Sequence, residues 1–110
     1  MGFRIVVENV GEFEQRIKDK DLVISKSIVS SILQNLIGKK KHIHCLEVYI
    51  ENEDTTVDIT CHRDDFIETL EENLQTHVYH EDYEACSGIQ KAIKYLRTYC
   101  TDQIYLFTNF

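Results

Sequence analysis

Apolar residues recur along this chain in two periods, and each period marks an element. From Phe66 to Leu96 the period is helical. Phe66, Ile67, Leu70, Leu74 and Val78 form one stripe, and Tyr83, Cys86, Ile89, Ile93 and Leu96 form a second. Between them is a polar break containing Glu81 and Asp82, with Glu84 just beyond. Carboxylates there suit the exposed N–H groups and positive dipole end of a new helix. The pattern predicts an antiparallel helical hairpin whose two stripes bury each other.

The first half of the chain reads the same way. Phe3 to Val7 alternates as a strand, and the apolar Val6 on its second face predicts cover on both sides. Phe13 and Ile17 predict a short helix, and Leu22 to Ile24 are either a brief strand or the entry to the next helix. That helix carries Ile28, Val29, Ile32, Leu33, Leu36 and Ile37, with Ser25 or Ser27 as cap and Gly38 as stop. Lys39, Lys40 and Lys41 then suit its negative dipole end.

His42 to Glu51 and Thr55 to His62 predict a β-hairpin around Asn52-Glu53-Asp54. Leu46, Val48 and Ile50 should face the core with Val57, Ile59 and Cys61, leaving Glu47, Tyr49, Glu51, Asp58 and Thr60 outward. Gln103 to Thr108 reads as a last strand. The expectation is one α+β domain over residues 1–110 in the order β-α-α-β-β-α-α-β. Its sheet would be small and mostly antiparallel, with helices on one face.

The hairpin also resembles a known motif. Leu70, Leu74, Tyr83-Glu84, Cys86-Ser87, Ile89, Ile93 and Leu96 are similar to the UVR motif, a short helical hairpin of bacterial excision-repair proteins and some chaperone and kinase-activator partners. The aromatic-Glu pair and the apolar positions match without a gap. Cys86-Ser87 stands where the family has two alanines, and Gln90-Lys91 where it has Arg-Asp. The resemblance implies a protein-docking hairpin and no chemistry.

Charge narrows the partners. The net charge is −7, and Glu47 to Glu84 holds thirteen Asp or Glu against one base, Arg63. Such a chain repels phosphates, which disfavours direct nucleic-acid binding and favours partners with basic surfaces. No apolar run approaches the roughly 18 residues of a membrane span. The N-terminus lacks a charged-then-apolar leader pattern, so a cytoplasmic location is expected, in a host cell if the gene is viral. Cys45, Cys61, Cys86 and Cys100 each fall within a predicted strand or helix, as free buried thiols do in a reducing compartment.

Candidate chemistry is sparse. His42 and His44 share a strand face, and Cys61 could approach His44 across the hairpin. Yet no zinc-finger spacing, Cys-x-x-Cys or His-Glu-x-x-His occurs, and no structural metal or cofactor is expected. Cys61 and His62 are adjacent on a strand and point to opposite faces, so they cannot form a nucleophile–base pair. No P-loop, dinucleotide fingerprint or nucleophile elbow is present. Asp64 and Asp65 suit a helix start better than acid–base catalysis.

The expectation is therefore a non-enzymatic, acidic protein-binding module that acts by occupying a partner, of the inhibitor, immunity or virus-encoded anti-defence kind. Glu47, Tyr49, Glu51, Asp58, Glu68, Glu71 and Glu72 are its candidate contacts. Carboxylates spaced along strand and helix could imitate a phosphate row toward a nucleic-acid-binding target. Two alternatives stand beside it: a small-ligand or nucleotide binder or enzyme using the His/Cys set, and a subunit self-assembling through an edge at Gln103 to Phe110.

Overall fold

The computed structural model describes residues 3–99. Its sheet has three strands, β1 (Phe3–Val7), β2 (His42–Ile50) and β3 (Thr55–His62), with β2 in the centre. Four helices join them: α1 (Val10–Lys18), α2 (Leu22–Gln34), α3 (Phe66–Tyr79) and α4 (Tyr83–Tyr99). The α+β class and the order of these seven elements match the expectation. The strand expected at Gln103 to Thr108, and with it the edge at Gln103 to Phe110, lies outside the described residues.

The sheet is mixed rather than mostly antiparallel: β1 runs parallel to β2, and β3 antiparallel. The connection explains this. Residues of α1 stay unburied, while α2 packs on β2 and buries Ile24, Ser25, Val29 and Ile32. One crossover helix returns the chain to the end it left, so the next strand must run parallel. The two predicted helices therefore act as one.

Behind α2 lies α3, and α4 packs on α3. Ile32, Leu46, Leu70 and Ile89 have no exposed surface and knit the two layers together. In α3 the buried stripe is Phe66, Leu70 and His77, with Leu74 partly buried; Val78, expected inside, is half exposed. The stripe advances 3.6 residues per turn, so eleven residues after Phe66 it reaches His77. In α4, Tyr83 likewise faces out, while Cys86, Ile89, Ala92, Ile93 and Leu96 are buried.

Several boundaries move for local reasons. Asp21, not Ser25 or Ser27, caps α2 by accepting from the Ile24 N–H, which draws Leu22 to Ile24 into the helix. The helix ends at Gln34, leaving Ile37 83% exposed rather than in a buried stripe. The lysine triplet does not close its end. Arg63 does, donating to the carbonyls of Asn35, Leu36 and Lys40.

A β-bulge resolves a conflict in β2. His42 and His44 have the same parity as Leu46, Val48 and Ile50, so a regular strand would put all five on one face. Cys45 is the extra residue: His44 pairs with Thr60, and Leu46 with Ile59. The histidines thus face outward, while Leu46, Val48 and Ile50 enter the core. The Cys45 carbonyl, freed from the ladder, accepts from the hydroxyls of Ser27 at 2.8 Å and Ser31 at 3.3 Å.

Candidate functional site

Among the described residues α2 packs on β2, α3 on α2 and α4 on α3, and the opposite side of the sheet is left partly exposed. Val6, expected to be covered, is 51% exposed there. Register arranges this face in rows. Arg4, Glu47 and Asp58 stand abreast across β1, β2 and β3, and Val6, Tyr49 and Thr56 form the next row. The bulge adds His44 beside the first row.

Within these rows Arg4 turns to the aromatic ring of Tyr49, with its guanidinium carbon 5.2 Å from the centroid. The Tyr49 hydroxyl donates to Asp54 Oδ1 at 2.5 Å, which fixes the ring against the β2–β3 turn. That hydrogen bond, with the negative charges of Asp54 and Glu51 nearby, holds the phenol above its ordinary pKa. Glu51 sits in the 3-10 turn that follows β2 and is exposed.

The other candidate contacts lie elsewhere. Glu68, Glu71 and Glu72 are exposed on α3, in the helix layer, so the seven residues do not form one surface. Glu71 is paired with Arg97 at 2.8 Å. Glu72 lines a groove between α2 and α3 with Asp21, Ser25 and Asn73.

Arg63 is committed to the backbone. It is the single base among the thirteen carboxylates, yet its side chain is bonded to three backbone carbonyls and lies 4.9 Å from the Phe66 ring centroid. Its charge serves the end of α2, and the carboxylates around it gain no ion pair from it.

The predicted His/Cys set is not assembled. Cys61 is opposite Ile43, buried on the core face, and its thiol meets Thr69 and the His62 carbonyl. His42 and His44 face outward and part company: the His42 ring meets the His62 ring edge-on at 4.6 Å, and His44 Nε2 lies 3.3 Å from Asp58 Oδ1. Asp64 and Asp65 do not cap α3 with their side chains; His62 Nδ1 accepts from the Asp64 N–H instead. Cys45, Cys61 and Cys86 are free and buried. Burial pushes the Cys45 thiol up to about 11, with Cys61 adding to the shift, and raises Cys61 as well.

Two features escaped the pattern reading. His77 is buried, its Nδ1 3.1 Å from Asp82 Oδ2, and its Nε2 has no hydrogen-bond partner among the described residues. That contact holds the Asp82 carboxyl below its usual range. The other is the group His44, Glu47 and Asp58, whose ligand-type atoms all lie within 4.8 Å of one another. The parity conflict in His-Ile-His-Cys-Leu was the signal that could have located it, since only a bulge brings residues three apart onto one face.

No family model, no curated protein and no solved structure matches this chain.

Proposed function

We propose that the protein is a binding module that occupies a partner with a basic surface, using the open face of its sheet. The observation that carries this is the row of the exposed Val6 and the half-buried Tyr49, set beside Glu47, Glu51 and Asp58. An aromatic held in place and rimmed by charge is a common anchor of protein interfaces. Tyr49 is pre-positioned by Arg4 and Asp54, so little side-chain freedom is lost on binding. Thirteen carboxylates against one arginine give the region a negative field that can steer a basic partner. An inhibitor, immunity protein or anti-defence protein acts in this way, and a nucleic-acid-binding target has the basic surface the field would select. Glu68, Glu71 and Glu72 contribute to that field from the helix layer, and the UVR-like α3–α4 hairpin would be a second docking element.

The test begins with a pull-down to identify the partner, followed by association kinetics against ionic strength. The Debye length falls from about 10 Å at 0.1 M salt to about 3 Å at 1 M, so steering should fade over that range. The triple variant Glu47→Gln, Glu51→Gln, Asp58→Asn should associate more slowly with a flatter salt slope, and Tyr49→Ala should dissociate faster. Unchanged rates and slopes in both variants would remove the sheet face from the reading.

A further inference from the structure

We propose that His44, Glu47 and Asp58 form a binding site for one divalent cation of the zinc class on the open face of the sheet. The donor set is one imidazole nitrogen and two carboxylates, a combination that borderline metals accept in sites that keep a position open to water. Geometry supports it. A zinc ion held about 2.1 Å from each donor in tetrahedral arrangement sets its donors about 3.4 Å apart. His44 Nε2 and Asp58 Oδ1 already stand 3.3 Å apart, and the Glu47 carboxylate is within 4.8 Å of both. Rotation of the half-buried Glu47 side chain, or of the exposed His44 and Asp58, would have to close the remainder.

Electrostatics point the same way. Glu47 and Asp58 are directly opposed on neighbouring strands, where like charges destabilise a sheet. Arg4 is abreast of Glu47 on the other side, but its guanidinium lies over the Tyr49 ring, and no ion pair joins it to Glu47. A cation between the two carboxylates removes their repulsion. The bulge at Cys45 creates the set: His44 and Glu47, three residues apart, share a face only because of the extra residue. The serines of α2 that bond the Cys45 carbonyl hold that bulge in place. The site belongs to the chain alone and does not rest on partner binding.

Titration of the metal-free protein with Zn²⁺, followed by calorimetry, tests it. One ion should bind per chain, with Mg²⁺ binding far more weakly because the imidazole favours the softer metal. His44→Ala and, separately, Glu47→Gln should each weaken Zn²⁺ by more than the roughly 10–100-fold loss typical of outer-shell changes. All three positions are on the surface face, and Glu47→Gln keeps the shape, so circular dichroism should show the fold intact. His42→Ala, which touches only the neighbouring imidazole pair, should leave the affinity unchanged. Absence of Zn²⁺ binding at one ion per chain, or an equal loss in His42→Ala and His44→Ala, would overturn the site.

Discussion

The three strands have two faces of opposite character. Toward the helices they present Ile5, Val7, Ile43, Leu46, Val48, Ile50 and Cys61, all buried, whereas Val57, expected in the core, is exposed on the edge strand β3. Toward solvent they present Arg4, Val6, His44, Tyr49, Thr56, Asp58 and Thr60, none of them buried. On the helix side two charges are built into the helix ends: Arg63 is bonded to carbonyls, and Asp21 to Arg16 at 2.8 Å and to the Ile24 N–H. On the open side Glu47 and Asp58 lie side by side with the imidazole of His44 as their basic neighbour. One face therefore supplies core to the fold, and the other keeps its charged side chains at the surface.

The sharpest way to break this contrast is to truncate both faces. Leu46→Ala or Leu70→Ala should cost about 2–5 kcal/mol in urea unfolding, since each leaves a cavity in a fully buried position. Thr56→Ala and the pair Glu47→Gln, Asp58→Asn should stay within about 0.5 kcal/mol of the wild type. Comparable losses on both faces would mean that the open side carries stability after all.

Arg63→Met keeps most of the apolar stem over Phe66 and removes the donors to Asn35, Leu36 and Lys40. A loss of about 1.5–3 kcal/mol is expected, the usual range for hydrogen bonds from a charged group. An unchanged unfolding midpoint would show that water replaces the guanidinium and that the charge is not structural.

The smallest effect concerns Asp21. Burial works against its carboxylate, but the hydrogen bond from Arg16 and the N–H of Ile24 outweigh that and hold its pKa below the ordinary value. A lowered native pKa contributes stability that is complete above the unfolded value, about 3.9, and is lost as pH falls through the native one. Asp21→Ala should cost about 0.5–2 kcal/mol at pH 7 as a lost cap. The gap from wild type should narrow below about pH 4 as the carboxylate protonates. An equal gap at pH 7 and pH 3, read from urea midpoints, would contradict the assignment.

How much of this could be read from the sequence differs by element. The α3–α4 hairpin was legible because Leu70, Ile89 and Ile93 recur at a helical period that no other structure satisfies. The β2–β3 hairpin was legible from its turn residues and from the pairing of Leu46 with Ile59 and Val48 with Val57. The metal-type group was not. The sequence offered His42, His44 and Cys61 by residue type, and the fold sent Cys61 to the core and replaced it with Glu47 and Asp58.

The sequence by itself determined the elements that have a strong period, the buried stripes, the excess of carboxylates and the absence of any established catalytic motif. Those are properties of neighbours along the chain, and periodicity records them directly. Tertiary structure alone decided the rest. Whether β1 runs parallel depends on how many of its following helices span the sheet, and only packing reveals that α1 does not. Whether Arg63 serves its carboxylate neighbours or distant carbonyls depends on residues 23 to 28 positions away. Which face of His44 meets solvent depends on one bulge whose carbonyl is satisfied from another element. Each is a long-range choice among local options of similar energy, and local pattern cannot rank options that differ only in what lies across the fold.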